Sequence, residues 1–335
     1  MHFYFKLKYI KKNTENRFLF SKTFKILEYM SRKSFMEACY QWESDKARFV
    51  KATSLAAYSL TLRHHLEPRF KTLGDISPDS VQQMADEELA SGNSLSTVKG
   101  IVLVLKMIIR YCEKQGWMPE RRYEITFPKR KEKTSPRVLL LEEEKQLLSW
   151  LSENPSLINI GLLICLCCGL RIGEVCALKW EDVDIRQRVI HIRRTVHRIY
   201  RQDLSNHKSE LTLGVPKTED SRREIPISNY LVRILNKVYL DSYPEQYVVS
   251  GTRNPMDPQT FRNHFKRVAS KIGIPARKVH SLRHTFATRC IESKCDFKTL
   301  SSLLGHADIT TTLNLYVHPG LEQKRRCVED MMNLL

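Results

Sequence analysis

Between residues 280 and 316 the chain reads HSLRHTFATRCIESKCDFKTLSSLLGHADITTTLNLY, and this stretch sets a His, an Arg, a second His and a Tyr in an arrangement suited to phosphate chemistry. His280 and Arg283 are three residues apart, which on a helix puts them on one face. His306 follows the turn Leu303-Leu304-Gly305, and Tyr316 lies ten residues beyond it, near the end of a segment in which a helix can start at Ala307 and Asp308. A guanidinium offers a fork of donors that matches two phosphate oxygens, an imidazole gives or takes a proton near neutral pH, and a Tyr hydroxyl can act as the nucleophile of a covalent intermediate. Each of these residues taken singly is more often structural than catalytic. Their combination carries the reading.

Elements upstream must complete and hold such a site. The run CGLRIGEVCALKWEDVD places Gly169 at the end of an apolar helix over 157–170 and Arg171 at the start of the next, with Ile172, Val175 and Leu178 packing inward and Glu174 able to brace the Arg. The β-branched alternation of Val189, Ile190, Ile192 and Val196 predicts a strand over 188–200. Residues 211–227 predict two more strands flanking a turn at 217–221, so that Lys217 lies on a hairpin. Helices are predicted over 142–154, 229–240 and 257–272, the last opened by Asp257-Pro258.

The N-terminal half reads differently. Helices are predicted over 34–48 and 52–66, the second ended by Pro68. A third is capped at Ser77 with Pro78 in its first turn, and a fourth carries Val98, Ile101, Leu105, Ile108 and Cys112 at spacings of three and four before Gly116. Together they make a small four-helix bundle without an acid, base or nucleophile in any constellation, and it is assigned binding. Residues 121–137, RRYEITFPKRKEKTSPR, hold seven basic residues and two prolines and read as a linker able to contact phosphates.

The chain has 335 residues, 42% of them hydrophobic, enough for two domains with their own cores. Fifty-five Lys and Arg against 37 Asp and Glu give a formal charge of +18, which makes nucleic acid the leading partner. Nine cysteines with no Cys-x-x-Cys pair point to reduced thiols and a cytoplasmic protein, and Cys165, Cys167 and Cys168 fall in an apolar run where they read as core. No metal site and no transmembrane segment is expected. The first thirty residues hold seven Lys or Arg against Glu15 and Glu28; they read equally as a short DNA-contacting arm or as sequence ahead of a start at Met30.

Taken together, Arg171 in CGLRIGE, Lys217 in PKTEDSRREIPI, His280 and Arg283 in HSLRHTFAT, Leu304-Gly305-His306, and Tyr316 resemble the tyrosine recombinase (phage integrase) family, over 139–316 and in matching order. The resemblance implies a mainly α fold with a small antiparallel β-sheet: a basic extension (1–33), a core-binding helical domain (34–118), a basic linker (119–137), an α+β catalytic domain (138–320) and a tail helix (321–335). It implies that Tyr316 attacks a DNA phosphodiester to leave a 3′-phosphotyrosyl link and a free 5′-hydroxyl. Arg171 and Arg283 would clamp the phosphate and His306 would add a hydrogen bond. Lys217 would protonate the leaving oxygen, and His280 would accept a proton or orient the phosphate; how the two divide the proton steps stays open.

The family's chemistry implies no cofactor, no metal and no ATP. It implies double-stranded DNA as partner, a monomer in solution that becomes a homo-tetramer on DNA around a Holliday junction, and room for accessory DNA-bending proteins. Residues 321–335, with Val328, Met331, Met332 and Leu335 at helical spacing, could dock on a neighbouring copy or fold back on their own domain. The short N-terminal extension favours the simpler, two-domain kind of recombinase acting in integration, excision or inversion. Alternatives are strand relaxation of the type IB topoisomerase kind, a DNA-binding regulator with an inactive site, and a metal-dependent nuclease, for which the carboxylate cluster is lacking.

Overall fold

Short polar side chains set most of the helix starts. The computed structural model describes residues 28–30, 32–129, 138–200, 209–214, 222–239, 243–275, 277–306, 308–316, 325, 328–329 and 331–333. It divides into two compact units, Met1–Lys133 and Thr134–Leu335, and the described residues are mainly helical with two small antiparallel sheets.

In the first unit, Ser34 accepts from the Glu37 N–H to begin α1 (Phe35–Lys46). The helix predicted over 52–66 is α2 (Ala52–Thr61), whose last turn widens into a π-helical segment at Leu62–Leu66. Ser77 and Pro78 begin α3 (Pro78–Ala90), and Ser94 caps α4 (Leu95–Lys114). The periodic residues Val98, Ile101, Leu105, Ile108 and Cys112 of α4 are all buried, in one core with Phe35, Trp42, Leu66 and Met84. Burial pushes the Cys112 thiol up to about 12, so it behaves as a small hydrophobe.

The second unit is built around an apolar helix. Ser156 caps α6 (Leu157–Cys168), which follows α5 (Leu141–Glu153) and is buried along nearly its whole length, Cys165 and Cys168 included. The short α7 (Ile172–Cys176) comes next. Among the described residues five strands follow: β1 (Val183–Asp184), β2 (Val189–Ile192), β3 (Thr195–Tyr200), β4 (Ser209–Gly214) and β5 (Arg223–Pro226). Next come α8 (Asn229–Tyr239), α9 (Pro258–Lys271), α10 (His280–Glu292), α11 (Phe297–Leu304) and α12 (Ile309–Tyr316). Helices α5, α8, α9 and α10 all pack against α6.

Two strand predictions are corrected. The single strand expected over 188–200 is two strands in different sheets: β2 lies between β1 and β5, and β3 pairs with β4. The break falls at Arg193 and Arg194, whose guanidiniums both turn to the buried Asp182 (3.5 and 3.0 Å). The strands expected over 211–227 do form, but not as a hairpin with each other. β4 runs beside β3, from Thr195 opposite Gly214 to Tyr200 opposite Ser209, while Ile225 of β5 sits opposite Ile190 of β2. Alternation marks a strand and the face it buries; it carries nothing about the partner. The 217–221 turn itself lies outside the described residues. No helix among the described residues is long and apolar enough to cross a membrane.

Candidate active site

The last carbonyls of a helix have no partner within it, and a cation there is favoured by the aligned peptide dipoles. At the end of α11 this demand is met by three guanidiniums. Asp296 caps the start of the helix and Gly305, in the left-handed conformation, ends it. The carbonyl of Leu303 accepts from Arg223 Nε (2.7 Å), that of Leu304 from Arg283 Nη2 (2.6 Å), and that of Gly305 from Arg171 Nη2 (2.8 Å). Three consecutive carbonyls thus draw in side chains from β5, α10 and the start of α7.

Arg283 is the most deeply held, with 1% of its surface exposed. Its Nη1 donates to the carbonyl of Gly169 (2.8 Å), which ends α6, so one guanidinium ties the ends of α6 and α11 together. Its Nη2 also lies 3.0 Å from His306 Nε2. A guanidinium only donates, so Nε2 accepts, and the ring proton sits on Nδ1, donated to the Thr312 hydroxyl of α12 (2.8 Å). Burial, then the charges of Arg283, Arg171 and Arg223, push the His306 pKa down to about 4, so the ring is neutral at pH 7.

Arg171 precedes α7, where its backbone N–H and Nη1 both donate to Glu174 (2.9 and 2.8 Å), the bracing that the CGLRIGE spacing predicts. Glu174 is 4% exposed and also receives Arg223 Nη1 and Nη2 (3.1 and 2.9 Å). Burial alone would hold a proton on this carboxyl. The hydrogen bonds and charge of Arg223, with the charge of Arg171, outweigh it and bring the pKa down to about 2. Arg171 keeps 34% of its side chain open, so it can meet a ligand directly where Arg283 cannot without rearrangement.

His280 begins α10, yet it does not share the environment of Arg283. It is exposed, and its ring lies 4.6 Å from that of His284, nearly perpendicular to it. The protein packed around it, then the charges of His284, Arg283 and Arg171, lower its pKa to about 4. Tyr316 is the last residue of α12, the helix that also carries Thr312. Lys217 lies outside the described residues. Of the six predicted groups, Arg171, Arg283 and His306 meet at the turn ending α11, and His280 lies within electrostatic reach of both arginines.

Sequence reasoning missed Arg223, His284 and Thr312. For Arg223 a partial signal existed: a carboxylate placed among Ile172, Val175 and Leu178 needs more cationic charge than one half-open Arg supplies. Nothing in the order of residues said that the second cation stood 49 positions downstream of Glu174.

This helical architecture with its small sheets has counterparts among DNA-acting enzymes. The fold is similar to that of the Tn1549 transposon integrase in complex with a circular intermediate DNA, with a TM-score of 0.69 at 21% identity, covering 87% of this chain and 98% of that one. It is also similar to a lambda integrase tetramer bound to a Holliday junction, with a TM-score of 0.62 at 18% identity, covering 85% and 77% of the two chains. The phage integrase family model matches residues 137–322, more than half of the chain, and the chain belongs to that family. Among similar proteins are a tyrosine recombinase XerC-like protein of Caldanaerobacter subterraneus subsp. tengcongensis, 28% identical over 76% of this chain and 70% of its own length, and a tyrosine recombinase XerA of Thermococcus kodakarensis, 27% identical over 82% and 88%.

Proposed function

We propose that the chain is a site-specific DNA recombinase that cuts and rejoins duplex DNA through a phosphotyrosyl link on Tyr316. The phenol oxygen attacks the phosphorus in line as the bond to the 5′-oxygen breaks, leaving a 3′-phosphotyrosyl link and a free 5′-hydroxyl. The phenol proton passes to a base, for which His280 is the candidate, and Lys217 supplies the proton that the 5′-oxygen takes up. The 5′-hydroxyl of a second duplex then reverses the step, and exchange of one pair of strands gives a Holliday junction. The bond energy stays in the link, so no ATP is called for, and the guanidiniums of Arg171 and Arg283 take the charge-stabilising place that metal ions hold in other phosphoryl-transfer enzymes.

The observation that carries this reading is the meeting of Arg171, Arg283 and His306 at the end of α11. Donors fixed before substrate arrives stabilise charge as it develops on the non-bridging oxygens. A phosphate oxygen entering beside His306 would take over the Arg283 Nη2 donor, while the half-open Arg171 meets the second oxygen. Residues 34–118 and the linker 119–137 are read as the part that grips the duplex, 138–320 as the part that cuts it. Four copies on synapsed DNA follow from strand exchange between two duplexes, and Val328, Met331 and Met332, all exposed, offer apolar side chains for docking between copies. The protein would act in the cytoplasm, where the DNA of a mobile element is accessible.

The test is a Tyr316→Phe chain. It should form no denaturant-resistant adduct with DNA and should still bind duplex as the wild type does; an adduct in this variant overturns the proposal. Incubation of the wild type with two duplexes in chelator should yield recombinant junctions. Relaxation of supercoils without exchange would support a type IB topoisomerase instead.

A further inference from the structure

Three observations single out Arg223, which neither the order of residues nor the family match assigns to the site. Its guanidinium is 5% exposed and spends a donor on each of three acceptors: Nε on the Leu303 carbonyl, Nη1 on Glu174 Oε1 and Nη2 on Glu174 Oε2. Glu174 in turn holds both the backbone N–H and Nη1 of Arg171. Arg223 also opens β5, the strand that follows the segment containing Lys217 and pairs with β2.

We propose that Arg223 is a positioning residue for DNA cleavage, which fixes Glu174 and the end of α11 so that the Arg171 guanidinium faces the phosphate in one geometry. The inference rests on the recombinase reading given above. Its physical basis is competition for donors. With Arg223 in place, each Glu174 oxygen receives a guanidinium N–H from β5, and Arg171 needs to give the carboxylate only Nη1 and its backbone N–H. That leaves Nη2 of Arg171 on Gly305, at the edge of the site. Without Arg223, a buried carboxylate has Arg171 alone as its cation and draws that guanidinium inward, away from the phosphate. The planar fork matters as well as the charge: a lysine ammonium is a compact point charge that cannot serve both carboxylate oxygens and the Leu303 carbonyl in one plane.

The test uses the full chain with Arg223→Met, which keeps bulk and removes charge, and Arg223→Lys, which keeps charge and removes the fork. In folded Arg223→Met, the Glu174 carboxyl, followed by carbon-13 NMR, should titrate well above its wild-type value of about 2. Nicked duplexes recovered by covalent capture with the wild type from a random-sequence pool are the DNA probe. On them, adduct formation by Arg223→Met should slow about a hundredfold, the cost of roughly an ångström of misplacement, with duplex affinity unchanged and a new loss of rate on acidification that tracks Glu174. Arg223→Lys should fold and fall between the two, which keeps the test decisive if Arg223→Met does not fold. A Glu174 titration that does not move in Arg223→Met, or wild-type adduct rates in either variant, overturns the positioning role. Failure of the wild type to capture any duplex overturns the recombinase reading instead, while the NMR titration still decides whether Arg223 controls Glu174.

Discussion

His306 and His280 are held as neutral imidazoles, first by desolvation and then by the positive groups around them, and this has a consequence that can be read without DNA. Their pKa values lie at about 4 in the folded chain, against 6.5 for an ordinary histidine. Between those two values the unfolded chain binds protons that the folded chain refuses, so stability rises with pH across that window. It is fully present above about 6.5 and is lost as pH falls towards 4. His264 and His284, lowered first by burial, act in the same direction. Glu174 does not contribute there: its stabilising charge is present above its ordinary pKa of 4.5 and is lost only below it, towards 2. Thermal unfolding should therefore give a melting temperature that is level from pH 8 to 7 and falls between 6.5 and 4.5. In His306→Asn, whose amide oxygen can accept from Arg283 without titrating, the fall should be shallower; an identical slope would show that His306 does not carry the effect. Arg171, Arg283 and His306, which the sequence singled out by their motifs and side-chain types, do come together at the end of α11. Arg223 could not be singled out in this way, because its role depends on a carboxylate it meets only after folding.

The meeting of α7 with β3 sets how close Arg171 stands to the rest of the site. A Cβ at Gly173 would lie 2.5 Å from Thr195 Oγ1 and 2.8 Å from the backbone carbonyl of Val196, so only glycine lets the strand pass over the helix. Gly173→Ala should destabilise the chain by about 1–3 kcal/mol through overpacking, despite the better helix propensity of Ala. Chemical denaturation measures this. Adding Thr195→Ala should restore only part of the loss, because the Val196 carbonyl is backbone and remains; full restoration would place the clash on the hydroxyl alone. Most of the helices were legible, since Ser77 and Asp257 announce two of their starts and apolar spacing marks their buried faces; α11, whose end builds the site, was not predicted, because the sequence showed there only the turn at Leu303-Leu304-Gly305. The strands were legible as strands but not as pairs. What separates β2 from β3 is an ion-pair cluster at Asp182, Arg193 and Arg194, and β4 is joined to β3 by an antiparallel ladder from Thr195–Gly214 to Tyr200–Ser209; neither choice leaves a periodic trace.

A surplus of 18 positive charges belongs to the chain as a unit, and its effect on DNA binding can be separated from that of the active site. Each phosphate neutralised by a Lys or Arg releases condensed counterions, so the logarithm of the binding constant falls linearly with that of salt, by about 0.9 per contact on duplex DNA. Six to ten such contacts would cost about 10³–10⁵ in affinity between 50 and 200 mM salt. Arg283 and Arg223 contribute little to that slope, because both are buried and already paired within the protein. The slope must come from other basic residues, and in the sequence 121–137 is a dense stretch of them, with seven Lys or Arg. Replacing Lys129, Arg130, Lys131 and Lys133 by Gln should therefore lower the steepness of the salt dependence by up to about 3–4 units, roughly 0.9 for each residue that touches a phosphate. Adduct formation at saturating DNA should be unaffected. Fluorescence anisotropy on one duplex across a salt series measures the first quantity and a quenched cleavage assay the second. An unchanged slope would remove the linker from the DNA contact surface, and a slower saturated rate would mean that the segment also governs how the duplex is presented to Tyr316.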